Sequence, residues 1–84
     1  MERENLRKET EKNITEETLK ERLNLINRSQ SKYNYELVVD KGAILEYGIN
    51  IKNRTGYILA TRMFYDKIEL LSHIRGMEEI IKYL

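Results

Sequence analysis

Apolar positions recur along this chain with two different periods, and each predicts elements. Over residues 16–29, Leu19, Leu23 and Ile26 fall at i, i+4 and i+7, with Leu25 on the flank, which is the spacing of an amphipathic helix. Thr15 is a good N-cap, Glu16 and Glu17 place negative charge on the first turn, and Ile14 with Leu19 forms a hydrophobic staple. The period then changes to two. Tyr33, Tyr35, Leu37 and Val39 alternate with Asn34, Glu36, Val38 and Asp40. Ala43, Leu45, Tyr47, Ile49 and Ile51 alternate with Ile44, Glu46, Gly48, Asn50 and Lys52. Alternation over that length predicts strands.

The loops set the expected register. A three-residue loop, Asp40-Lys41-Gly42, pairs Val39 with Ala43, Leu37 with Leu45, Tyr35 with Tyr47 and Tyr33 with Ile49. A two-residue Lys41-Gly42 turn would instead put Leu37 opposite Glu46, so the longer loop is preferred. Arg54-Thr55-Gly56 repeats the device, pairing Ile51 with Leu59, Ile49 with Thr61 and Tyr47 with Met63 in a third strand over 57–64. Asp66 and Glu69 then form a capping box, with Tyr65 and Leu70 as a second staple. Leu70, Ile74, Met77, Ile81 and Leu84 make the apolar stripe of the last helix, with Leu71 and Ile80 beside it. Gly76 in its middle costs about 1 kcal/mol relative to alanine, and suggests close approach to another backbone, that of the sheet.

The expected fold class is therefore α+β: an α-β-β-β-α chain whose three-stranded antiparallel meander carries both helices on one face. At 84 residues the chain has room for one domain. We assign it to 15–84, behind a charged arm over 1–14 that is frayed or helical. No apolar run reaches membrane-spanning length and the N-terminus does not read as a signal peptide, so a cytoplasmic location is expected.

Candidate chemistry is sparse. There is no cysteine and one histidine, so neither a thiol nucleophile nor a metal site is expected, and no cofactor. His73 reads as a half-buried structural residue beside the helical stripe. The tyrosines at 33, 35, 47 and 57 could stack bases, but parity places them under the helices, with Tyr57 the exception. On the other sheet face Glu36 and Glu46 are expected to oppose each other, with Arg62 opposite Gly48 and diagonal to Glu46. Val38, Ile44, Ile58, Ala60 and Phe64 are expected to project to the same side. Facing carboxylates invite an acid–base reading, but an exposed sheet gives no pocket to shift them. An apolar scatter threaded with polar groups suits protein contact better, or ground covered by part of the N-terminal arm. The expected partner-binding set is Asn34, Glu36, Glu46, Asn50, Lys52, Arg54 and Arg62, in a protein that is not an enzyme. The helical stripe offers a homodimer seam as an alternative contact.

Two resemblances add to this. The α-β-β-β-α order is similar to a double-stranded RNA-binding domain, which implies nucleic-acid binding; the alternative function is then a nucleic-acid-binding regulator, for which the candidate residues of this chain are Lys52, Arg54, Arg62 and the basic residues of the arm. The stretch leading into the last helix, Tyr65-Asp66-Lys67-Ile68-Glu69-Leu70-Leu71, holds one lysine and two acids where that family is basic. The Tyr-rich hairpins, the Asp66-Lys67-Ile68-Glu69-Leu70-Leu71 segment and the Ile74-Arg75-Gly76-Met77 tail resemble small accessory proteins of phages and mobile elements in low-GC Gram-positive bacteria. Anti-CRISPR proteins, which block Cas nucleases, are among them. That resemblance implies a stoichiometric inhibitor of a host protein, a Cas nuclease or its nucleic-acid complex among the targets, working in the host cytoplasm. A net charge of +1 sets the chain apart from acidic DNA mimics.

Overall fold

A computed structural model describes residues 12–83. Most of the charged arm, 1–11, and the last residue of the helical stripe, Leu84, lie outside the described residues. The order is α1 (Glu16–Ser29), β1 (Asn34–Val39), β2 (Tyr47–Lys52), β3 (Ile58–Phe64) and α2 (Lys67–Ile81). The strands form one antiparallel sheet in the order β1-β2-β3.

Both helices start as the sequence predicts. Thr15 is extended and its side chain accepts the Thr18 N–H at 3.1 Å. Asp66 accepts the Glu69 N–H at 2.9 Å, while the Glu69 carboxylate reaches back to accept the N–H of Tyr65 at 3.0 Å. Tyr65 stays exposed, so the second staple is weak. The first is made: Ile14 and Leu19 are both buried. Leu19, Leu23 and Ile26 of α1 and Leu70 and Ile74 of α2 close over Tyr47 and Ile49 of β2. Tyr35, Leu37, Val39, Ile51 and Phe64 pack around that centre, so both helices occupy one face. Arg22 and Glu78 tie α1 to α2 through two hydrogen bonds, at 3.0 and 3.3 Å. Leu70 and Ile74, at the start of the α2 stripe, are fully buried within the domain.

The register of the first hairpin differs from expectation by four residues. Val39 pairs with Tyr47, Leu37 with Ile49 and Tyr35 with Ile51. A turn does form at Asp40–Ala43, closed by the Ala43 N–H on the Asp40 carbonyl at 3.1 Å. Gly42 has φ +89° and no described non-glycine residue has positive φ, so this is a type II arrangement, whose twist splays strands instead of continuing them. The ladder resumes only where the Asp40 N–H meets the Glu46 carbonyl at 2.8 Å. Ile44 is left 83% exposed in the loop. The gain lies in alignment: residues 47–52 of β2 are now paired on both sides. In the expected register, β1 and β3 would have overlapped only briefly.

The second hairpin has the expected three-residue loop, with Gly56 at φ +96° and the Asn53 N–H on the Tyr57 carbonyl at 2.9 Å. The expected pairing then fails one step later. Lys52 pairs with Ile58, but Ile51 pairs with Ala60, so Leu59 is an extra residue. Such a bulge reverses the faces of everything beyond it. Arg62 lies opposite Ile49 and Phe64 opposite Tyr47, while Thr61 lies opposite Asn50 and Met63 opposite Gly48.

Candidate functional site

The bulge rewrites the composition of the uncovered sheet face. Asn34, Glu36 and Val38 come from β1, Gly48, Asn50 and Lys52 from β2, and Ile58, Thr61 and Met63 from β3. A row of polar groups crosses all three strands. Lys52 Nζ lies 2.8 Å from Glu36 Oε2, Asn50 Nδ2 donates to Glu36 Oε1 at 3.2 Å, and the Thr61 hydroxyl donates to Asn50 Oδ1 at 2.6 Å. The Lys52 ammonium, and after it the Asn50 amide, hold the Glu36 carboxyl below the usual carboxylate range. An exposed carboxylate so paired is a fixed acceptor and a poor proton donor.

Of the seven expected contact residues, Asn34, Glu36, Asn50 and Lys52 share this face. Glu46 does not oppose Glu36; it stands at the entrance to β2, opposite Asp40. The facing glutamates are thus an artefact of the four-residue register difference. Arg62 lies on the opposite face, across from Ile49, and Ala60 and Phe64 move with it. Lys52, Arg54 and Arg62 accordingly form no single cationic surface.

Arg54 has a different task. Its Nε donates to the Ser31 carbonyl at 2.8 Å, Nη2 to the carbonyls of Asn27, at 3.1 Å, and Gln30, and Nη1 to Asn34 Oδ1 at 3.5 Å. These are the carbonyls left over at the end of α1, where a cation also suits the helix dipole. Arg54 therefore pins the second hairpin to α1. Replacing it with alanine is expected to cost about 2 kcal/mol in chemical denaturation, with lysine restoring little, because one ammonium cannot span that fork.

His73 is half-buried, its ring 5.1 Å from that of Phe64 and tilted by 41°. Burial first, and then the Arg62 charge, lower its pKa below the ordinary histidine value. The neutral form is favoured in the fold, so stability should be full above the ordinary value and decline as pH falls through the interval below it. Thermal melts of wild type and His73→Gln should converge at neutral pH and diverge in that acidic interval, the wild type losing more. Parallel profiles would remove His73 from the acid response.

Five contributors were not legible in the sequence. Thr61 joins the polar row only because of the bulge. Asn27 and Gln30 lie in the polar run that ends α1, yet both bind the β1 segment. Arg22 and Glu78 are 56 positions apart, beyond any local pattern. Among the described residues no cluster of His, Cys, Asp or Glu could hold a metal ion, and no helix is long and apolar enough to cross a membrane. Compared with known protein families, curated proteins and solved structures, the chain matches none.

Proposed function

We propose that this domain is a non-enzymatic binding protein that acts by occupying the surface of another protein, one to one, through its uncovered sheet face. The observation that carries this reading is the Lys52–Glu36–Asn50–Thr61 row, a polar ladder spanning three strands on a face that no described residue covers. Val38, Ile58 and Met63 border the row with apolar surface. Oriented polar groups inside an apolar border are the usual make-up of a transient protein interface. The exposed, ion-paired Glu36 fits recognition better than proton transfer.

The resemblance to phage accessory proteins extends the proposal to its target class: a host protein, with a Cas nuclease of a low-GC Gram-positive bacterium the first to test. The dispersal of Lys52, Arg54 and Arg62 gives the nucleic-acid alternative no added support. Purified Cas9 loaded with guide RNA supplies the probe. Titration of the chain should abolish DNA cleavage at about one equivalent, and Glu36→Lys combined with Thr61→Lys should remove inhibition while leaving the thermal melt unchanged. If cleavage is untouched, Cas9 is discarded as the target. If inhibition survives both substitutions, the open face is discarded as the contact.

A further inference from the structure

The two edges of the sheet are finished differently. Beside β1, the Gln30 side-chain amide donates to the Tyr33 carbonyl at 2.6 Å and accepts the Tyr33 N–H at 2.8 Å. Asn27 repeats the pattern on Tyr35, at 2.9 and 2.7 Å. Two side-chain amides thus stand where a neighbouring strand would at the start of that edge. β3 forms the other edge, and no described residue pairs with its outer side. Its first five residues are exposed, Ile58 and Leu59 at 56% each. Arg62 is its one charge, and it contains no proline. Sheets ordinarily blunt such an edge with charges, proline or a bulge. Here the bulge lies near the start, at Leu59, and leaves the ladder regular from Ala60 to Phe64.

An independent feature lies on α2. A Cβ added at Gly76 would meet nothing within 4 Å, so nothing in this domain's packing requires glycine there. Gly76 lines an open groove with Phe64, His73, Met77 and Ile80, on the flank of α2 that looks past the end of β3. Ile80 in that groove is 65% exposed. A helix-weakening glycine and an exposed isoleucine on one flank suit the close approach of another helix.

We propose that two copies of the chain pair antiparallel through β3 about a two-fold axis near Thr61, joining their sheets into six strands. The Gly76 flank of α2 then receives the second copy's α2. Pairing about Thr61 sets Thr61 against its counterpart and Arg62 against the partner's Ala60, so the two guanidiniums do not oppose each other. A net charge of +1 adds little repulsion. The open faces of both copies become one continuous surface. This proposal does not depend on the identity of the target.

Sedimentation velocity from low to high micromolar concentration should show a species of twice the 10.1 kDa chain mass. Ala60→Lys, on the exposed edge, should return the chain to monomer mass with its circular dichroism intact. Gly76→Leu should weaken the dimer by about tenfold or more in Kd, with no loss of folding in the monomer. Amide hydrogen exchange over 58–64 should slow as wild-type concentration rises. A monomer at every concentration, or a dimer that survives Ala60→Lys, would overturn the proposal. So would edge amides whose exchange ignores chain concentration and slows only when another protein is added, which would assign the edge to that partner.

Discussion

Ile49→Ala should destabilise the domain by about 3–4 kcal/mol, the range for losing a fully buried branched side chain. Ile49 is 1% exposed, in the middle of the central strand. It pairs with Leu37 on one side and Arg62 on the other, beneath a roof formed by Leu19, Leu23, Ile26, Leu70 and Ile74. Both helices reach the sheet through this region, so the cavity would open where the two layers meet and neither could collapse into it alone. A chain of this length holds roughly 4–12 kcal/mol in total, so a large share of its stability is at stake. Urea denaturation should show the midpoint falling with little change in slope. A loss below about 1 kcal/mol would mean that the helices do not bear on Ile49.

Gly48→Val should be comparably damaging, for the opposite reason. Gly48 is buried on the otherwise open side of β2, with Met63 of β3 lying across it. An added Cβ would come 2.5 Å from the Arg62 carbonyl oxygen and closer still to the Met63 sulfur. The sulfur can move. The carbonyl is fixed in the ladder, and displacing it would disturb the pairing from which Thr61 and Met63 take their orientation. We expect a loss of about 3 kcal/mol or more, with only partial rescue when Met63→Ala is added, because the backbone conflict remains. Full rescue would place the whole conflict in the Met63 side chain.

Local signals carried most of the architecture. Thr15 and Asp66 mark helix starts through the chemistry of their own side chains, and the change of period at Tyr33 separates strand from helix. Register is another matter. A four-residue shift preserves alternation, so the pairs Leu37–Leu45 and Leu37–Ile49 look equally good in sequence, and only the alignment of both neighbours on β2 separates them. The bulge at Leu59 is harder still: no glycine or proline marks it, yet it exchanges the faces of Arg62 and Thr61. The candidate site inherited both problems. Asn34, Glu36, Asn50 and Lys52 precede or escape the bulge and lie together as parity predicts. Glu46 and Arg62, placed through the expected pairings, do not. Arg54 reads as an exposed cation in a hairpin loop, because the α1 carbonyls that it binds become its neighbours only after folding.

The proposed contact face can be tested most directly by recording amide chemical shifts of the isotopically labelled chain as Cas9–guide complex, or another isolated target, is titrated in. The largest changes should fall on Glu36, Val38, Asn50, Lys52, Thr61 and Met63, with Arg62 and the outer surfaces of both helices little affected. Changes concentrated on α1 and α2 while those six signals stay still would contradict binding through the open sheet.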